Sequence, residues 1–378
     1  MADFFDYLNW RGDLTFEEVP FCKIDALLLA HVTYSIFDGI VPESFDERKT
    51  FAQVAKDFSA SPDYEERINI GFLINKRTAE LMFKCAECER YRNVELCGFR
   101  NIYNEENVEQ FAAVTYIFNG KAVIALRGTD DTIVGWKEDF NIAWLPQIPA
   151  QKDALEYFKE AASAFTGDFI FTGHSKGGNL VINTAVNCGK KLQKRIEEVY
   201  NFDGPGFCAD FFKSEEYKAV EKRINSFYPG FSVVGMIFHH PEKYEIVKSN
   251  GFAMWQHDAM NWQILGKDFI NEADFADESR LFYRAFNEWI DKLDTEQKKN
   301  FVETMFCILE ASGAKTNNEI EKDALKCTAR MAAAYANLSH KKKNELHKIL
   351  SMFKDVITDD IPIFKPFVIL KNNLRILG

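Results

Sequence analysis

Ser175 stands in Gly173-His174-Ser175-Lys176-Gly177, between an apolar β-prone run, Phe169 to Thr172, and a helix-compatible segment, Gly178 to Val186. Strand, sharp turn and helix form the context in which a Gly-x-Ser-x-Gly motif presents its serine as a nucleophile. The glycines answer a steric need, because a Cβ two residues before or after the serine would collide with neighbouring backbone. The helix behind the turn aims free N–H groups, and the positive end of its dipole, at the point where an oxyanion would form. The chemistry expected is acyl transfer. It requires a base, a group to orient that base, and donors for the tetrahedral oxyanion.

Five histidines follow Ser175: His239, His240, His257, His340 and His347. The last two lie in a Lys-rich helical stretch and read as solvent-facing. His257 falls in a loop after a late strand-like segment, between Gln256 and Asp258, where the base of such a site is expected. His240, just ahead of Pro241, is the second candidate. His31 lies in an apolar helical stretch and reads as a core residue. One oxyanion donor would be the backbone N–H of Lys176. The other would come from the loop after an earlier strand, Arg127-Gly128-Thr129, where Thr129 offers both an N–H and a hydroxyl. Asp139 is placed to fix that hydroxyl, although Arg127 to Asp139 also reads as a plain structural turn.

The elements that must hold these residues follow from periodicity. Phe111 to Phe118 alternates as a strand, Asn119-Gly120 suits a type I′ hairpin turn, and Lys121 to Leu126 is continuously apolar like a buried strand. Ala154 to Phe165 reads as a helix, Glu198 to Phe202 as a strand ending in Asp203-Gly-Pro-Gly, and Glu215 to Arg223 as a helix. Strands follow near Ile224 to Tyr228 and Tyr244 to Ser249. This alternation predicts an α/β-hydrolase fold with a mostly parallel central sheet. Upstream, Ile24 to Phe37, Tyr64 to Lys84 and Arg77 to Tyr91 read as helical, and residues 46–98 as covering helices.

From about residue 270 the texture turns all-helical: Glu278 to Lys292, Thr295 to Ala311, Asn317 to Leu338 and His340 to Val356, with Gly313 as a C-cap and Ser339 as an N-cap. The chain is thus read as a hydrolase domain with an N-terminal helical arm over 1–269, and a helical appendage and tail over 270–378. For the tail, Ile361 to Leu377, packing on its own chain leads over an edge strand, a dimer contact or peripheral contact with lipid.

Net charge is −11 over 378 residues, which argues against nucleic acid or an anionic membrane as the main partner. The 35 phenylalanines suit a large aromatic core or an apolar pocket. Met1-Ala-Asp-Phe-Phe-Asp lacks a basic leader and no apolar run is long enough for a transmembrane segment, so a cytoplasmic protein is expected. The scattered cysteines fit reduced thiols. Cys85-Ala-Glu-Cys88, with Cys97 nearby, lacks the further ligands of a zinc site, and no metal or organic cofactor is expected.

Ala125-Leu-Arg-Gly-Thr-Asp, then Gly135-Trp-Lys-Glu-Asp139, then Gly173-His-Ser-Lys-Gly-Gly resembles the class 3 (fungal-type) lipases over about residues 105–260. The whole chain looks still more like a family of lipase-like α/β-hydrolases from gut Firmicutes, in Tyr7-Leu-Asn-Trp-Arg-Gly-Asp, Ser232-Val-Val-Gly-Met, Gln256-His-Asp and the C-terminal helices. The resemblance implies a small apolar acyl ester as substrate, Ser175 as nucleophile, His257 as base, Thr129 and Lys176 as oxyanion donors, and Asp139 as the partner of Thr129. It also implies a lid, with Ile142 to Pro149 as the counterpart. The family carries its acid in an Asp-x-Val-Pro segment; the matching stretch is Phe231-Ser-Val-Val-Gly, with Ser232 where Asp is expected. Serine cannot stabilise an imidazolium charge, so Asp203, one strand earlier, is the alternative acid, unless it merely shapes a turn or the site is a Ser–His dyad. The rival reading, a non-catalytic binding or scaffold protein that keeps the fold, rests on that missing Asp.

Overall fold

The structure, a computed structural model, describes residues 2–68 and 74–352. The tail from Ile361 lies outside the described residues. Helix α1 (Phe4–Arg11) begins at a capping box in which Asp3 accepts from the backbone N–H of Phe5 and Asp6. Helix α2 (Lys23–Val32) is apolar nearly all round and buried along most of its length, as a helix packed on every side must be. It stops at Val32, short of the expected Phe37, where the Thr33 hydroxyl turns back onto the Leu29 carbonyl. Its buried Asp25 accepts from Arg90 at 2.6 Å, Tyr7 at 2.8 Å and Tyr91 at 2.5 Å, and Arg90 donates further to the carbonyls of Leu14, Val19 and Pro20. That network staples the N-terminal arm to the domain.

Strand β1 (Lys49–Thr50) and helices α3 (Phe51–Ser59), α4 (Tyr64–Arg67), α5 (Thr78–Glu87) and α6 (Glu89–Arg92) follow. The single helix expected from Arg77 to Tyr91 is interrupted at Cys88, whose backbone is extended. The helical reading of 46–98 also missed the start of strand β2 (Glu95–Asn104). A bulge between Cys97 and Arg100 breaks its alternation; Gly98 sits there at φ +62°, with the Phe45 ring 2.2 Å from where a Cβ would stand. Strand β3 (Glu109–Phe118) turns through Asn119 and Gly120, both at positive φ, into β4 (Lys121–Leu126), as the hairpin signal predicted.

Then come α7 (Ile133–Asn141), α8 (Pro149–Ala164), β5 (Phe169–His174), α9 (Lys176–Asn187), α10 (Lys190–Gln193), β6 (Ile196–Phe202), α11 (Glu215–Val220), β7 (Ile224–Pro229) and β8 (Glu245–Val247). The eight strands lie side by side in chain order, antiparallel from β1 to β4 and parallel from β4 to β8. With helices on both faces, this is an α/β-hydrolase fold. Alternate residues of the central strands feed two cores: Val123, Ala125 and Ile170 pack under α2, while Ile124, Leu126 and Phe171 pack under α8 and α9.

The C-terminal helices are α12 (Asp277–Asp291), α13 (Thr295–Glu310), α14 (Asn317–Lys322), α15 (Ala324–Ala336) and α16 (His340–Met352). The helix expected over Asn317 to Leu338 is two, because Asp323 leaves helical geometry at φ −120°, ψ 40°. Gly313 takes φ +77° just beyond α13, and Ser339 caps α16 by accepting from the Lys342 N–H. Phe282, Phe286 and Trp289 of α12 pack on Tyr228, Val233 and Phe238. Helix α13 packs on Ile133, Trp136 and Phe140 of α7. Among the described residues, no helix is long and apolar enough to cross a membrane.

Candidate active site

Strand β5 delivers Ser175 to a turn where its own backbone takes φ 58°, ψ −132°, a region that costs a non-glycine residue about 1–3 kcal/mol. The surrounding contacts hold it there. A Cβ on Gly173 would lie 2.2 Å from the Gly177 carbonyl oxygen, and one on Gly177 would lie 2.0 Å from that of Leu126. Both glycines are therefore required by close backbone approach, as the motif implied. The Ser175 N–H donates to the Phe202 carbonyl at 2.9 Å, and Lys176 opens α9, where a backbone N–H has no intrahelical partner.

His257 lies on a 3-10 turn (Ala253–His257) after β8, and its Nδ1–H donates to Asp203 Oδ2 at 2.6 Å. Asp203 is fully buried at the end of β6, at φ 51°, and its other oxygen accepts from the Ser232 hydroxyl at 2.6 Å. Ser232 in turn accepts from the Gly235 N–H. Asp203 thus joins the His257 imidazole to the Ser232 hydroxyl, one oxygen on each. His240 instead packs among Tyr228, Tyr244 and Phe275, away from Ser175. Ser175 and His257 line one cavity, yet no hydrogen bond joins the Ser175 hydroxyl to His257. In unliganded sites such bonds are often long and tighten on binding.

His174, inside the motif, has a role the sequence did not suggest. Its Nε2–H donates to the His257 carbonyl at 2.8 Å, and its Nδ1 faces the Tyr34 hydroxyl at 3.1 Å. Burial, reinforced by the neighbouring His257 and His31 imidazoles, holds the His174 pKa well below the ordinary imidazole value, so the ring is neutral with one donor and one acceptor nitrogen. It pins the backbone of His257 while Asp203 pins the ring.

Helix α7 carries the partner of Thr129. The Thr129 hydroxyl donates to Asp139 Oδ2 at 2.5 Å, the pairing expected from sequence. Burial raises the Asp139 pKa to about 7, against the opposing pull of Lys176 and the Thr129 hydroxyl. The preceding residue, Glu138, was not foreseen. The Lys176 side chain is fully buried, and its Nζ donates to Glu138 Oε2 at 2.8 Å, to the Gln110 carbonyl at 2.7 Å and to Gln110 Oε1 at 2.9 Å. A lysine in a buried motif position demands a buried carboxylate, which was the signal available. Two successive α7 carboxylates therefore fix the two residues expected to supply oxyanion donors.

The rest of the cavity wall is mainly apolar, and the C-terminal helices contribute Phe282, Phe286, Trp289, Phe301 and Met305 to it. The cover expected of Ile142 to Pro149 is only a short connection between α7 and α8, and it gives the cavity Ala143 alone. A covering role needs a wide apolar face, which those few residues lack and α12 and α13 possess.

No curated protein matches the chain. Among solved structures it is similar to M37 lipase, at 14% identity over 57% of this chain and 69% of that one, TM-score 0.37. It is also similar to a triacylglycerol lipase from Penicillium expansum, at 11% identity over 46% and 75% of the chains, TM-score 0.31. A third is the Rhizomucor miehei lipase propeptide complex, at 14% identity over 58% and 67%, TM-score 0.32. The family model described as Mbeg1-like matches residues 85–307, which span the Ser175 turn, Asp203, His257 and the first cavity-lining C-terminal helices, and the chain belongs to that Mbeg1-like family.

Proposed function

We propose that the chain is a serine hydrolase that cleaves carboxylic esters of apolar acyl groups through an acyl-enzyme on Ser175. The observation that carries this reading is the buried Asp203–His257 hydrogen bond beside a strained Ser175 in the same cavity. With Nδ1–H engaged by Asp203, Nε2 of His257 is the nitrogen left to accept the serine proton. Ser175 Oγ then attacks the ester carbonyl, and the backbone N–H groups of Lys176 and Thr129 receive the oxyanion. His257 returns the proton to the leaving alcohol, and water, deprotonated by the same imidazole, releases the acid. The aromatic and aliphatic wall from α12 and α13 supports an apolar acyl group over a polar one.

The missing hydrogen bond between Ser175 and His257 favours a second reading, a lipase-fold protein that binds an apolar ligand without turning it over. A fluorophosphonate probe separates the two. Covalent labelling of the native chain, lost in Ser175→Ala and reduced roughly 10⁴-fold in rate in Asp203→Asn, is the outcome expected of an enzyme. A native chain that stays unlabelled while still binding apolar esters is the outcome expected of the second reading.

A further inference from the structure

Tyr34 stands just past the end of α2, in the N-terminal arm, and its side chain is buried. Helix α2 is tied to β5 by the Thr172 hydroxyl, which donates to the Ala26 carbonyl at 2.7 Å. The Tyr34 N–H donates to the His31 carbonyl at 3.1 Å, so the turn that carries the phenol is fixed as well. His174 decides which way the phenol proton points. With its Nε2–H given to the His257 carbonyl, the neutral His174 ring can only accept at Nδ1, so the Tyr34 O–H donates there at 3.1 Å. The phenol oxygen keeps its lone pairs, and one of them accepts from the Gly128 N–H. Gly128 is held close. A Cβ on it would lie 2.1 Å from the Tyr34 hydroxyl, 2.6 Å from the His174 carbonyl oxygen and 2.9 Å from Ser175 Cβ. Burial pushes the Tyr34 pKa up, so the hydroxyl retains the proton this arrangement needs. Hydrogen bonds thus run from the Gly128 N–H through Tyr34 and His174 to the backbone of His257.

We infer that Tyr34 is a positioning residue: its hydroxyl locks the Arg127-Gly128-Thr129 loop onto the Ser175 turn and so sets where the Thr129 N–H points. The inference rests on the ester-hydrolase reading for what that N–H does. Its test is Tyr34→Phe, which keeps the ring and removes the hydroxyl. Thr33→Val is the control, because it removes a neighbouring buried hydroxyl that meets the Leu29 carbonyl and Tyr116 instead of the site. In protein isotope-labelled at glycine amide and histidine ring nitrogens, the native chain should show His174 protonated at Nε2 and a protected Gly128 amide. Tyr34→Phe should speed exchange of that amide about tenfold, the size of one lost hydrogen bond, and shift the His174 Nδ1 resonance. Thr33→Val should do neither. With an octanoyl ester, Tyr34→Phe should lower kcat about tenfold and leave KM within about twofold, because the misplaced donor acts on the oxyanion alone. A native His174 protonated at Nδ1, or an amide and a resonance that Tyr34→Phe leaves unchanged, would overturn the link. A disturbed link with kcat intact, a raised KM in place of a lowered kcat, or an equal loss of kcat in Thr33→Val would overturn the positioning role. A native chain that turns over no ester would sink the hydrolase reading alone, and the two nitrogen signals would still decide whether Tyr34 holds the loop.

Discussion

Asp139 illustrates what a single carboxylate does when its surroundings pull in opposite directions. Burial raises its pKa from 3.8 to about 7, although the Thr129 hydroxyl donates to it and Lys176 Nζ lies 3.9 Å from its other oxygen. In the unfolded chain the group ionises near 3.8, so between 3.8 and about 7 the folded state holds more protons than the unfolded one. Stability contributed at this position is therefore greatest at low pH, falls as pH rises through that window, and levels off above it. Asp139→Asn, which cannot ionise, should not show this loss. Urea unfolding at pH 5 and pH 8 should find the native chain losing stability relative to the variant; parallel behaviour at the two pH values would disprove the assignment. Ser175, Thr129 and Asp139 were legible because motif and loop each state their own geometry. The acid was ambiguous because Asp203 and Ser232 are 29 positions apart in sequence and only folding brings them to one hydrogen bond. His31, read as a core histidine, is buried as expected, its Nε2 against the Thr78 hydroxyl at 3.1 Å.

At the scale of elements, α7 connects the site to the C-terminal helices. One of its faces supplies Glu138 and Asp139 to Lys176 and Thr129. The other places Phe140 edge-on to Phe306 of α13 at 5.6 Å and Lys137 on Glu310 at 2.6 Å. The segment before α14 adds a bridge between Thr132 and Thr316. Glu138→Gln should destabilise the protein by about 3–5 kcal/mol, since it strands the buried Lys176 ammonium. It should also lower kcat for an octanoyl ester about tenfold with little change in KM, because the donor it steadies acts on the oxyanion and not on bound substrate. A loss of stability with kcat intact would make the pair purely structural. Periodicity revealed most elements, and failed where backbone rather than side chains decides. The Gly98 bulge hid β2, and the turns at Cys88 and Asp323 each split what reads as one helix.

For the molecule as a whole, the C-terminal helices were legible as helices but not as part of the cavity. Nothing in the periodicity of Glu278 to Lys292 says which surface its apolar face will meet. In the structure that face, with α13 and Leu346 of α16, completes the cavity above Ser175. A chain anchored at Ser175 should therefore bridge the sheet side of the cavity and the C-terminal helices, and its length should be felt as global stability. Reaction with an octyl fluorophosphonate should raise the melting temperature by several degrees more than reaction with a methyl one, since each buried methylene contributes about 0.8 kcal/mol. Trp289→Ala opens the wall on the α12 side and should shrink that difference without affecting the shift from the methyl probe. If both probes raise the melting temperature equally in the native chain, the bound chain does not reach α12 and α13, and those helices cover the site without contacting its ligand.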